Sequence, residues 1–186
     1  MVLDPEILEV IYTNEGEDLL HLSQKNTVML LFLRHFGCTF CRESLTDISK
    51  IRKEIEDLGI KIVAIHMAEE EVADEYFKNY NLANLTHISD PDVSLYDYFG
   101  LSKGRFFQLY GLKVWLRGLK AGILDGHGLK VSSELGSFQQ MPGVFMLKDG
   151  QIITKFVHKS ASDRPDYKDL VNKTVSKNPT PTTDKK

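Results

Sequence analysis

The chain has 186 residues, 42% of them hydrophobic, and a formal net charge of -3. That length suits one domain with a sizeable core, and the mild negative balance excludes the basic footprint of a nucleic-acid binder. No apolar run approaches the roughly 20 residues of a membrane helix, and the start, Met1-Val2-Leu3-Asp4-Pro5-Glu6, lacks the positive segment and apolar core of a signal peptide. The expectation is a soluble cytoplasmic protein with neither a nucleic-acid nor a membrane partner.

Residues 7–12 and 19–22 read as two short strands around a turn at Asn14-Glu15-Gly16, an N-terminal hairpin. Residues 28–33 are almost wholly apolar, as in a strand covered on both faces. They lead into Arg34-His35-Phe36-Gly37-Cys38-Thr39-Phe40-Cys41-Arg42-Glu43, which contains the chain's two cysteines, spaced CxxC. From Cys41 the apolar positions Leu45, Ile48, Ile51, Ile55 and Leu58 recur every three or four residues, and Gly59 supplies a helix stop.

This periodicity makes the cysteines unequal. Cys41 shares the inward stripe of the helix. Cys38 lies at or before its first turn, where unpaired N–H groups favour a thiolate. Cys38 is therefore expected to be the exposed nucleophile and Cys41 its inner partner.

Residues 60–67 read as a second buried strand and 69–80 as a helix with an acidic first turn. Residues 85–89 suit a third short strand and 93–99 a short helix. Residues 100–140 are rich in glycine and form an insertion, with Arg105, Lys113, Arg117 and Lys120 around Trp115. A basic aromatic helix there would suit an anionic partner or surface, although a solvated face with a packed Trp is the commoner outcome. Two apolar runs, 144–147 and 152–157, flank Asp149-Gly150 as a hairpin, and a last helix covers 165–175. One domain thus spans 1–176, followed by a polar, disordered tail at 177–186.

In a reducing compartment a lone CxxC points to catalysis, redox sensing or metal binding rather than a permanent crosslink. Three functions follow: thiol–disulfide chemistry, a metal or iron–sulfur site, and a redox-sensing module that presents the insertion to a partner. A metal site would need further ligands, and no second Cys or His pair has ligand spacing. Arg34 and Arg42 have the charge to favour a thiolate or to receive an anionic substrate, while a surface pair of Arg42 with Glu43 is an equal reading. His35 has the chemistry of a proton shuttle, although a histidine ending a strand is more often packed. Phe36 and Phe40 suit shielding of the sulfurs by packing, and His66 and His87 read as structural.

The order strand, CxxC, helix, strand, helix, insertion, hairpin, helix resembles the thioredoxin fold. The resemblance implies an α/β, three-layer architecture with a central mixed sheet, here with an N-terminal β extension and a helical insertion before the final hairpin. Met141-Pro142-Gly143 stands where such proteins carry a cis-proline facing the CxxC, so the resemblance implies a cis Met141–Pro142 bond. More closely, residues 32–43, with Gln140-Met141-Pro142-Gly143-Val144-Phe145 and the trailing Asp149-Gly150, resemble the peroxiredoxin-like branch of the alkyl hydroperoxide reductase and thiol-specific antioxidant family, over residues 19–157.

Two parts of that family's usual peroxide site are absent. If Cys41 took the peroxidatic place, Cys38 would hold the position of the usual Thr or Ser, and Pro142 aligns with the usual arginine. The resemblance implies an oxidoreductase without a cofactor, its dithiol Cys38–Cys41 supported by Arg34, Phe40, Arg42, Met141 and Pro142. It also implies a thioredoxin- or glutathione-like reductant and a peroxide or disulfide substrate, and it allows a homodimer.

Overall fold

The computed structural model describes residues 2–101, 140–160 and 162–177. Most of the glycine-rich insertion and the tail beyond Lys177 lie outside the described residues. In chain order the elements are α1 (Pro5–Leu8), α2 (Leu19–Lys25), β1 (Thr27–Phe32), α3 (Thr39–Glu56), β2 (Ile60–His66), α4 (Glu70–Asn79), β3 (Thr86–Ser89), α5 (Ser94–Tyr98), β4 (Gly143–Lys148), β5 (Gln151–Val157) and α6 (Tyr167–Lys177).

The strands form one mixed sheet in the order β3-β2-β1-β4-β5. β1 pairs parallel with β2, and β2 with β3, whereas β4 runs antiparallel to both β1 and β5. Because side chains alternate along a strand, β1 divides between two cores. Met29 and Leu31 enter a core with Leu45 and Ile48 of α3, Phe77 of α4 and Leu170 of α6. Val28, Leu30 and Phe32 enter the other, with Leu8, Leu19, Leu22, Tyr96 and Phe99. The sheet is thus covered on both faces, which is why its central strands are continuous apolar runs. This is the three-layer, mixed-sheet architecture expected from the resemblance.

The N-terminal β extension is corrected. The turn is there, with Thr13 N–H donating to Glu17 O at 3.0 Å, but its flanks are helical apart from a lone Tyr12–Asp18 bridge. Pro5 opens α1, where its missing N–H costs nothing, and Asp4 Oδ1 accepts from Glu6 N–H at 3.0 Å. Asp18 caps α2 by accepting from His21 N–H at 2.8 Å. Leu19 and Leu22 are buried on one face of that helix, at the i, i+3 spacing of a helical stripe.

The N-terminal segment instead reaches both outer strands. Leu3 N–H donates to Gly150 O at 3.2 Å beside β5. On β3, Asn14 N–H donates to His87 O at 2.9 Å and Asn14 Oδ1 accepts from His87 N–H at 2.8 Å. Occupied edges deny the sheet to a passing chain.

Other expected boundaries hold to within two residues. Gly59, at φ +75°, ends α3, since only a residue without Cβ takes that conformation freely. Leu58 lies past the helix end and is 45% exposed, so the inward stripe stops at Ile55. Asp149 and Gly150 both have positive φ, as a two-residue hairpin turn between β4 and β5 requires.

Candidate active site

The two sulfurs sit where β1 hands the chain to α3, above the middle of the sheet. Cys38 is the N-cap residue of α3, with extended backbone, and its N–H donates to His35 O at 3.0 Å. Cys41 lies one turn on, inside the buried stripe with Leu45 and Ile48. Both are free thiols. Cys38 is 7% exposed and Cys41 4%, so the expectation of an exposed Cys38 is corrected. The loop between β1 and α3 folds over its own sulfur.

Arg34 makes that enclosure possible. Its Nη1 donates to Cys38 Sγ at 3.1 Å and its Nε to Gln140 O at 3.1 Å, with the side chain buried. Gln140 is itself buried and donates through Nε2 to Leu101 O at 2.7 Å. One guanidinium therefore joins the cysteine loop to the segment that enters β4. A planar fork of donors serves two acceptors at once, as an ammonium would not.

Cys41 meets different surroundings. Burial pushes its thiol well above the ordinary range, and Cys38 adds to the shift, while Arg34 and Arg42 oppose it. Its sulfur has a long contact, 3.9 Å, to Arg34 O. It borders a cavity of about 20 Å³ shared with Arg34, Phe40, Ser44, Pro142, His158, Asp163 and Tyr167.

Of the other residues expected at the site, Phe40 and Pro142 line that cavity, and Met141 is buried. The Met141–Pro142 bond is trans, correcting the cis expectation; this is the ordinary preference of an X–Pro bond. Arg42 points elsewhere. Its Nε donates to Tyr80 Oη at 3.0 Å, and Glu43 pairs with Arg164 Nη1 at 3.0 Å, so the Arg42–Glu43 pair does not form.

Phe36 stacks on Tyr76 with centroids 4.8 Å apart and packs against Phe77 and His66, forming the floor of the loop. His35 is held down to about 3 by burial and by Arg34, so it stays neutral at physiological pH rather than shuttling protons.

His66 and His87 form a buried pair, Nε2 to Nδ1 at 2.9 Å. His66 Nδ1 lies 2.9 Å from Ala68 O, which only accepts, so that nitrogen carries the proton and Nε2 accepts from His87. Burial, then His87, lowers His66 to about 3. Asp74 Oδ1 stands 3.4 Å from His87 Nε2, close enough for an ion pair if His87 is charged.

Among the described residues no group of three His, Cys, Asp or Glu side chains is placed to hold a metal ion, and no helix is long and apolar enough to cross a membrane.

This buried dithiol at a helix start, with a cation on one sulfur, is chemistry for thiol exchange. A family model described as the AhpC/TSA family matches residues 13–155. The chain belongs to the AhpC/TSA family. It is similar to the prostamide/prostaglandin F synthase of Danio rerio, 26% identical over 164 residues, covering 85% of this chain and 79% of that protein. It is also similar to human peroxiredoxin-like 2C, 24% identical over 80% of this chain and 67% of the relative. Among solved structures, the bacterioferritin comigratory protein of Xanthomonas campestris matches with a TM-score of 0.59 at 15% identity, covering 86% and 87% of the two chains, a likeness of fold.

As an AhpC/TSA protein of the peroxiredoxin-like branch, the chain is a thiol-dependent oxidoreductase acting on peroxides or disulfides. The family pairs peroxide substrates with thioredoxin- or glutathione-type reductants.

His158 and Asp163 were not singled out from sequence, and Gln140 entered only as the first residue of the motif Gln140–Phe145. A signal existed for His158: it directly follows β5, whose pairing of Val157 with Gly143 sets it beside Pro142. The motif did not disclose the bonding role of Gln140, whose contacts reach across 39 and 106 residues.

Proposed function

We propose that Cys38 is the attacking sulfur and Cys41 the resolving one. The observation that carries this is the 3.1 Å contact from Arg34 Nη1 to Cys38 Sγ, set against the buried Cys41 one turn away. The guanidinium supplies the counter-charge of a thiolate at Cys38, which is the N-cap residue of α3. Cys38 attacks a substrate disulfide, or the O–O bond of a peroxide. Cys41 then attacks the Cys38 adduct and leaves an internal disulfide, which an external thiol reduces.

Arg34 also supports turnover of peroxides. Pro142 stands where the family's usual arginine aligns, and Arg34 brings a cation to the sulfur from within the cysteine loop instead. Pro142 and Phe40 form the wall on the Cys41 side. A cytoplasmic setting, where thioredoxin and glutathione keep such pairs reduced, belongs to the same proposal. So does a homodimer, whose formation light scattering would test.

The deciding experiment replaces Cys41 with Ser, exposes the protein to a protein disulfide, and maps the trapped mixed disulfide by mass spectrometry. Trapping through Cys38 is the expected result. The complementary Cys38→Ser protein trapping through Cys41 would reverse the roles. Stopped-flow oxidation of the Cys41→Ser protein by hydrogen peroxide and by an organic hydroperoxide separates the substrates: rates no faster than those of a free thiol would exclude the peroxidase reading.

A further inference from the structure

The two central strands part just beyond Phe32, and the sulfur loop begins there. β1 pairs with β2 as far as Phe32 and Ile65, and Leu33 N–H then donates to Ile65 O at 2.9 Å. The next acceptor along the chain, Leu33 O, is met by Tyr96 Oη at 2.5 Å, which also reaches Ile65 O at 3.0 Å. A hydroxyl has one proton to give, and the nearer carbonyl is that of Leu33. Tyr96 is fully buried, so this donor serves a carbonyl in the interior, where a lost bond is costly. Burial pushes the hydroxyl well above its ordinary range, and Cys41 and Asp90 add to the shift, so it keeps its proton and stays a donor.

The short helix α5 is braced to hold that hydroxyl in place. A helix of this length has little stability of its own, and the support comes from Asp90. Its buried carboxylate accepts from Ser94 N–H at 3.0 Å, Ser94 Oγ at 2.8 Å and Leu95 N–H at 2.9 Å, while Asp90 N–H donates to His66 O, at the end of β2, at 2.7 Å. Val93 enters the helix at φ +56°, a left-handed conformation that strains a β-branched residue. Such strain persists only where the surroundings over-determine it. The Tyr96 ring stands edge-on to Phe32 at 5.1 Å, a contact that phenylalanine would keep, so the hydroxyl can be tested apart from the packing.

The residue after Leu33 is Arg34, which meets both sulfurs. Its guanidinium donates to Cys38 Sγ at 3.1 Å, and its carbonyl lies 3.9 Å from Cys41 Sγ. The Leu33 carbonyl and the Arg34 N–H share one rigid plane, so a bond that fixes the first also fixes the direction in which Arg34 leaves the sheet. We propose that Tyr96 is a positioning residue for the reaction: its hydroxyl sets the Leu33–Arg34 peptide so that the Arg34 guanidinium is held between Cys38 Sγ and Gln140 O. Asp90 supports it by fixing α5. The inference rests on the reading of Cys38 as the attacking sulfur with Arg34 as its counter-charge, and it gives Tyr96 its effect through Arg34.

The test uses the full chain with both thiols reduced. Arg34 Nε–H, bonded to Gln140 O, should give a side-chain NMR signal protected from exchange with water, assigned by its absence from Arg34→Lys. Tyr96→Phe is expected to speed exchange of that proton roughly tenfold or more and to slow alkylation of Cys38 about three- to tenfold. In an Arg34→Gln background the same change should slow alkylation by less than about twofold further, because the path runs through Arg34. A merely structural role would lower the urea midpoint and leave the Arg34 signal as it was, and that outcome overturns the inference. Equal slowing with and without Arg34 overturns it too. Asp90→Asn loosens α5 while keeping the hydroxyl and should move signal and rate in the same direction. It decides the matter if Tyr96→Phe does not fold, since an unchanged Arg34 signal there overturns the inference. If mixed-disulfide mapping traps Cys41 in place of Cys38, the reading of the two sulfurs fails, while the Arg34 signal still shows whether Tyr96 positions that side chain.

Discussion

Cys38 and Cys41 are one helical turn apart and almost equally buried, yet they occupy two different chemical settings. On the Cys38 side a guanidinium reaches the sulfur, and the surrounding groups are tied to residues distant in sequence. On the Cys41 side a thiol pushed upward by burial meets a small cavity of mixed polarity. Burial alone therefore does not distinguish attacker from resolver. The distinction lies in what each sulfur faces: a guanidinium donor at 3.1 Å from Cys38, or an enclosure that pushes the thiol of Cys41 upward.

The largest expected effect breaks the comparison outright. Cys38→Ser should lower steady-state reduction of a disulfide or peroxide by about 1000-fold or more, since the covalent path is gone. Cys41→Ser should still complete one attack. Coupled turnover assays alongside single-turnover traces check both.

Arg34→Gln should slow the reaction of Cys38 with an alkylating reagent by about 10- to 100-fold, reflecting a charge-assisted contact worth roughly 1.5–3 kcal/mol. Arg34→Lys should restore only part of that rate, because an ammonium does not reach Cys38 and Gln140 O in one planar fork. Peptide mapping after timed labelling gives the rates.

Acid tests the loop on the Cys38 side, where His35 lies in the loop and His66 packs against Phe36. Both are held at about 3, below the ordinary 6.5. Between those values the unfolded chain binds protons that the folded chain refuses, so stability rises with pH across the window and is lost as pH falls from 6.5 toward 3. Each histidine contributes a slope of about 1.4 kcal/mol per pH unit. Urea unfolding at stepwise lower pH should show this loss, and His66→Gln should flatten it.

The smallest effect is expected from Tyr80→Phe. It removes the 3.0 Å partner of Arg42 Nε outside the sulfur pocket, costing about 1 kcal/mol of stability with little change in either sulfur's reactivity.

The sheet, α3 and the inequality of the two cysteines were legible because each is written locally, as apolar runs of strand length, a long 3.6-residue stripe and a CxxC at its start. The first two helices were not. Pro5–Leu8 and Leu19–Lys25 are too short to display a period, although Asp4-Pro5 and Asp18 were readable caps. The burial of Cys38 depends on Arg34 bonding to a carbonyl 106 residues away, and no local pattern contains that. Arg42 illustrates the opposite error. Its neighbour Glu43 is adjacent in sequence, but consecutive helical residues point apart, so each found a partner on another element.

The N-terminal segment that touches both outer strands has a consequence for the order of events during synthesis. Residues 3 and 14 leave the ribosome early, yet their partners are Gly150 and His87. On a ribosome adding about 5–20 residues per second, the Asn14 contact becomes available seconds before the Leu3 contact. The segment is thus fastened first to β3 and last beside β5, and the final fastening waits until the hairpin that carries Gly150 has emerged.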